Sequence, residues 1–170
     1  IQEEDRVKWK DGKCRCCWAN PKNERYIRYH DEEWGKPVHD DRKLFEMLVL
    51  EGMQAGLSWL TILNKRAAFK EAFNEFDYQK IAKFSDEQFE ALMNNEGIIR
   101  NRLKIWGTKK NALAFMAVQN EFGSFSNYIW GFVGGKPIIN SRPELKDVPA
   151  STELSDRISK DLKKRGFTFV

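Results

Sequence analysis

Apolar residues along this chain recur mostly at three- and four-residue spacings, the period of helices buried on one face. From residue 40 the pattern breaks into successive helices. Asp40 or Asp41 can cap the first, which carries Leu44, Phe45, Leu48 and Val49 on one side. Gly52 and Gly56 interrupt it. Ser58 can cap a second helix bearing Ile62, Leu63, Phe69 and Phe73, and Asp77 a short one bearing Ile81 and Phe84. Ser85 and Gln88 have capping-box spacing ahead of Phe89, Leu92 and Met93. "NEGIIRN" (95–101) reads as a turn. A longer helix follows through Ile105, Leu113 and Met116 and ends before Gly123. Residues 125–132 add a short aromatic helix, and "GGKP" (134–137) opens a loop containing Pro137, Pro143 and Pro149. The last helix places Leu154, Ile158 and Leu162 at i, i+4 and i+8. Lys163, Lys164 and Arg165 suit its C-terminal dipole, and Gly166 suits its stop. The terminal "FTFV" is the longest alternating stretch. The expected fold is therefore all-α, with residues 1–13 a charged tail and residues 14–170 one helical domain.

Composition narrows the class. Of 170 residues, 41% are hydrophobic and 13% aromatic, which places the chain among globular proteins and not disordered ones. The net charge of +4 admits a polyanionic partner without requiring one. No apolar run approaches the roughly 18 residues of a membrane span, and no charged-then-apolar leader opens the chain. The expected setting is soluble and cytoplasmic, with no membrane partner. Cys14, Cys16 and Cys17 form an odd, local cluster. That is a poor disulfide framework and reads as thiols or thiolate metal ligands in a reducing compartment. Unpaired cysteines near a terminus are an equal reading.

Three segments could carry chemistry. In "LMNNEGIIRNRLKIWGTKKNA" (92–112), a tight turn at Gly97 precedes Arg100, Arg102 and Lys104, with Lys109 and Lys110 beyond. A helix N-terminus beside such cations favours phosphate. The same segment also reads as an ordinary helical hairpin with a solvated basic face. In "LEGMQAGLSWLTIL" (50–63), Glu51 ends an apolar stretch, with Gln54, Ser58 and Trp59 close behind. A carboxylate, an amide and an indole among small residues would suit a planar heteroaromatic ligand, although a Glu at a helix end can simply face water. In "RYHDEEWGKP" (28–37), His30 stands among acids and aromatics on a stretch that is neither clean helix nor clean strand. With Cys16 it offers two donors of the type zinc takes, which is half a site.

Taken together, "RCCWA" (15–19), "YIRYHDEEWG" (26–35), "LFEMLVLEGMQAGLSWLTIL" (44–63), "GIIRNRLKI" (97–105) and "STELSDRISKDLKKRGFTFV" (151–170) resemble the 3-methyladenine DNA glycosylase I family, in order and approximate spacing. The resemblance implies a single-domain helix-hairpin-helix fold and a base-excision-repair enzyme. Such an enzyme hydrolyses the N-glycosidic bond of 3-methyladenine in duplex DNA, releases the free base and leaves an abasic site; no lysine of this sequence stands out as a Schiff-base nucleophile, so no lyase step is expected. The resemblance implies that Glu51 contacts the base and that Trp59 stacks on it. Tyr26, Tyr29 and Trp34 would line the pocket; from the segment readings above, Gln54 joins them, and Gly97, Arg100, Arg102 and Lys104 are the residues expected to meet DNA. The resemblance also implies a structural zinc clip in which Cys16 and His30 match two ligands. The other two, a His and a Cys, come in relatives from a segment beyond "RGFTFV", which this chain is expected to lack. Duplex DNA with alkylated adenine and the free base as product are the implied partners of a protein expected to be monomeric. A noncatalytic reader of alkylated or abasic DNA, or a helical bundle with a basic face, are the alternatives.

Overall fold

A computed structural model describes residues 6–170. Among these, eight α-helices and one two-stranded hairpin group into two compact units. One comprises the described residues up to Pro37 with Pro137–Thr152, the other Val38–Lys136 with Glu153–Val170.

In the first unit, β1 (Arg6–Lys8) pairs antiparallel with β2 (Cys14–Cys16), Arg6 lying opposite Cys16. This replaces the charged tail expected over 1–13, of which residues 1–5 lie outside the described residues. Strands of three residues are too short to print a period of two, and the hairpin closes through backbone. Trp9 N–H donates to the Lys13 carbonyl at 3.1 Å, and Gly12 takes a left-handed φ of 78° that suits glycine. "RYHDEEWG" is helical at its start. α1 (Glu24–Glu32) is capped by the Asn23 side chain, which accepts from Tyr26 N–H. Asp31 binds Arg15 through two donors, Nε at 2.9 Å and Nη2 at 2.8 Å, while Asp11 takes Nη2 at 2.9 Å. Arg15 is buried, so these two carboxylates supply the partners that burial of its charge requires.

The second unit follows the expected helices closely. α2 (Asp41–Met53) is capped by Asp40, α3 (Trp59–Ala72) by Ser58 and α4 (Tyr78–Ile81) by Asp77. The capping box at Ser85 and Gln88 opens α5 (Asp86–Met93). α6 (Arg102–Phe122) ends at Gly123, α7 (Phe125–Gly131) follows, and α8 (Glu153–Lys164) stops before Gly166, whose φ is 100°. α6 runs through the core and buries Ile105, Ala112, Phe115 and Val118. Leu113, expected on that face, is half exposed, because a helix of 21 residues wrapped on several sides has no single apolar stripe. "FTFV" forms no ladder. The Asn111 amide grips it instead, donating to Thr168 O at 3.0 Å and accepting from Thr168 N–H at 2.8 Å. Gly52 and Gly107 leave room for this segment. A Cβ on Gly107 would come within 2.8 Å of Thr168 Cγ2, and one on Gly52 within 3.2 Å of Phe169 O.

Asp41 ties the start of α2 to that of α7. Its carboxylate accepts from Phe125 N–H at 2.9 Å, Ser126 N–H at 2.8 Å and Gln119 Nε2 at 2.8 Å. Asp41→Ala is expected to cost about 1.5–3 kcal/mol, the scale of hydrogen bonds to a charged group. Asp41→Asn, which keeps one acceptor oxygen, should lose less. Urea unfolding measures both, and an alanine variant as stable as the parent would contradict this role.

Candidate active site

The sequence marks the turn between α2 and α3, and its backbone explains the residue types there. Gln54 and Ala55 N–H donate back into the end of α2, to Leu50 O at 3.1 Å and Gly52 O at 3.3 Å. Gly56 then takes a φ of 79°, and Leu57 N–H closes onto Gln54 O at 2.6 Å. Ser58 accepts from Thr61 N–H and starts α3. The two glycines thus do different things. Gly52 admits the C-terminal segment and Gly56 makes the turn. Glu51 and Trp59 stand on either side of this loop, on the last turn of α2 and the first of α3. Gln54 is half-buried between them in the chain.

Glu51 shows surface to solvent, yet burial raises its carboxyl pKa above the ordinary value. Part of the residue thus faces solvent while neighbouring protein keeps water from part of its carboxyl. Such a group accepts a hydrogen bond from a ligand more strongly than a fully hydrated one, because less water must be displaced.

Tyr26, Tyr29 and Trp34 come together in the first unit around Trp18. The indole of Trp18 lies 5.2 Å from the Tyr26 ring, 6.3 Å from Tyr29 and 5.3 Å from Trp34, centroid to centroid. His30 joins the cluster at 5.0 Å and stacks on Trp34 at 18°. Burial raises the Tyr26 phenol pKa. Trp18 is the member that sequence reasoning left without a role. It sits inside "RCCWA", and its only signal was being a large aromatic beside residues already singled out. A cavity of about 770 Å³ in this unit has Cys16, Trp18, His30 and Trp34 in its wall.

Cys16 and His30 are neighbours, with Cys16 N–H directed at His30 Nε2 at 3.4 Å. His30 Nδ1 lies 2.9 Å from Asp31 Oδ1, the carboxylate–histidine pairing that orients an imidazole toward a metal. The donors suit zinc in type. They do not suit it in number, since among the described residues no three His, Cys, Asp or Glu side chains gather as a cage.

The basic hairpin forms between α5 and α6. Asn95 Oδ1 accepts from Gly97 N–H at 2.9 Å, and Asn101 caps α6 by accepting from Lys104 N–H at 3.1 Å. Gly97 is small because it packs on α3. A Cβ there would lie 2.9 Å from that of Ala68. Arg100 is exposed. Arg102 is exposed too, paired with Glu90 at 2.7 Å and lying over the Trp106 ring at 4.6 Å. Lys104 departs from expectation. It is 7% exposed, and its amine donates to Met53 O at 2.9 Å and Ala55 O at 2.6 Å, so it faces the protein and not a phosphate. Charge and spacing marked it for the solvent face. Its position three residues after the cap turns it inward.

Residues 18–170 match the family described as methyladenine glycosylase. The chain belongs to the methyladenine glycosylase family. The DNA-3-methyladenine glycosylase of Haemophilus influenzae (strain ATCC 51907 / DSM 11121 / KW20 / Rd) is 51% identical over 156 residues, covering 92% of this chain and 84% of that protein. A crystal structure of 3-methyladenine DNA glycosylase I superposes with a TM-score of 0.88 at 48% identity, covering 92% of this chain and 85% of that one. A variant of 3-methyladenine DNA glycosylase I in complex with 3-methyladenine gives a TM-score of 0.85 at 36% identity, covering 87% and 80%. The all-α glycosylase fold implied by the resemblance is therefore that of this family member. Among its described residues no helix is long and apolar enough to cross a membrane.

The raised carboxyl of Glu51 has a consequence for stability. The folded protein holds this proton more tightly than the unfolded chain does, so ionising it works against folding. That cost is absent well below the ordinary value of 4.5 and grows as pH rises through the higher folded value. Glu51→Gln should therefore raise the melting temperature at neutral pH, with the gain fading below pH 4.5. A glutamine variant that melts lower than the parent at neutral pH would contradict the desolvated carboxylate.

Proposed function

We propose that this protein is a monofunctional DNA glycosylase. It acts on alkylated duplex DNA, hydrolyses the N-glycosidic bond of 3-methyladenine, and leaves an abasic site and the free base. The observation that carries the reading is the intact α2–α3 turn, with Glu51 and Trp59 at its ends, in a member of this family.

The substrate sets the chemistry. Adenine alkylated at N3 already carries positive charge and leaves the sugar without being protonated. What remains is to extrude the nucleotide, at a cost of a few kcal/mol that is smaller for a damaged base, to recognise it, and to support a cationic sugar while water attacks. Glu51 reads the base by accepting a hydrogen bond from its exocyclic amino group. Trp59 supplies a stacking face. Gln54, Tyr26, Tyr29 and Trp34 are the remaining base-contact candidates. Gly97, Arg100 and Arg102 belong to the DNA-gripping hairpin. Lys104 and Lys109 donate their amines to backbone carbonyls, which suits neither for Schiff-base chemistry and supports hydrolysis without a lyase step. Cys16 and His30 offer two donors of the zinc type, and with no third beside them among the described residues they would hold zinc only weakly. The protein works as a cytoplasmic monomer.

Incubation with methylated duplex DNA, followed by chromatography of the released bases, tests the reading. Free 3-methyladenine is expected. Tight duplex binding with no released base would replace the enzyme by a noncatalytic reader. The hairpin has its own test. Removing Arg100 and Arg102 together by alanine substitution should flatten the log–log salt dependence of duplex affinity by about 2. An unchanged slope would make this face merely solvated.

A further inference from the structure

Lys104 is a buried cation with no place in the chemistry above. Its backbone belongs to the first turn of α6, immediately after the hairpin and the Asn101 cap. Its amine ends some fifty residues away in sequence, on Met53 O and Ala55 O. These two carbonyls bracket Gln54. Met53 is the last residue of α2, and Ala55 lies in the turn that leads to Trp59.

Two features make this more than packing. The last carbonyls of a helix have no intrahelical donors and form the negative end of its dipole. An ammonium placed there satisfies two acceptors at once, which an apolar side chain of equal length cannot do. Both acceptors lie in the stretch between Glu51 and Trp59, so the first part of that turn is tied to where α6 begins. Desolvation lowers the Lys104 pKa, and two carbonyl acceptors keep the burial tolerable.

We propose that Lys104 is a positioning residue that fixes the base-reading turn 53–58 to the first turn of the hairpin helix, holding Glu51 and Trp59 in register for the flipped base. It touches neither base nor phosphate. The proposal rests on the glycosylase reading for its consequence, and on the two hydrogen bonds to Met53 O and Ala55 O for its geometry.

The test uses the full chain with Lys104→Met, which keeps length and burial, and Lys104→Arg, which keeps charge and donors. Amide hydrogen exchange is read at Ala55 and Leu57, with Phe115 in the core as control, and free 3-methyladenine is titrated by tryptophan fluorescence. Lys104→Met should speed exchange at the two turn amides and weaken the free base about tenfold, the scale of a lost hydrogen bond to a charged group. Exchange at Phe115 and the salt slope of duplex binding should stay as in the parent. Lys104→Arg should bind the base more tightly than Lys104→Met. In the excision assay, kcat should fall in Lys104→Met with KM for duplex unchanged. The proposal is overturned by turn exchange equal to the parent's, by a salt slope reduced by about 1 as for a phosphate contact, or by an arginine variant no better than methionine. If the parent releases no base, the glycosylase reading fails, and the exchange measurement still decides whether Lys104 holds the turn.

Discussion

Burial of α6 is the constraint on which the second unit depends. Ile105, Ala112, Phe115 and Val118 are almost fully inaccessible, and Phe115 packs edge-on to Phe45 at 5.2 Å and stacks on Phe125 at 4.4 Å. The same helix supplies the polar groups that fix its neighbours. Lys104 holds the turn after α2, Lys109 donates to Phe84 O ahead of α5, Asn111 grips Thr168, and Gln119 reaches Asp41 and Tyr78. One rod thus sets the hydrophobic packing and ties down two connecting loops, the C-terminal stretch and the first residues of α2 and α4. Each buried donor on it ends on a carbonyl, carboxylate or hydroxyl, as a buried polar group must to avoid its desolvation cost.

The proposed base-reading residue sits where this order is least favourable for stability. A desolvated carboxylate at the end of α2 opposes folding, and helix C-termini favour cations over anions. Glu51 is at the wrong end of its helix for stability and at a suitable place for accepting a donor from a ligand. Energy lost at such a site is what recognition of an amino-bearing base would recover. Stability and recognition therefore point in opposite directions at the same side chain, a trade expected of a functional residue.

Side-chain caps made the helices legible. Asp40, Ser58, Asp77 and Ser85 announce their helices by residue type, and all four accept the hydrogen bonds expected of them. What failed to show was short or unpatterned local structure, together with contacts between residues far apart in the chain. The β1–β2 hairpin is too short to carry a period. α1 was hidden because its sequence is dominated by charged and aromatic residues, with no buried member to mark a stripe. Asn74, Glu75 and Phe76 adopt left-handed φ without a glycine among them, so no turn signal was printed there. The residues of the α2–α3 turn were legible from their motif. The inward turn of Lys104 was not, because its acceptors are backbone carbonyls that any sequence supplies. The Arg15–Asp31 pair was unmarked for a related reason, its members lying sixteen residues apart.

Glu51 as the residue that reads the base is the central claim, and equilibrium binding of free bases separates reading from catalysis. The parent, Glu51→Ala and Trp59→Ala would each be titrated with 3-methyladenine and with a methylated guanine, followed by NMR. Losing one hydrogen bond to the carboxylate should weaken 3-methyladenine roughly ten- to a hundredfold and erase its preference over guanine, whose carbonyl edge offers no donor there. Trp59→Ala should weaken both bases together, because stacking is nearly indifferent to the edge. If Glu51→Ala binds 3-methyladenine as tightly as the parent while excision collapses, Glu51 acts on the reaction and not on the base, and the account is wrong.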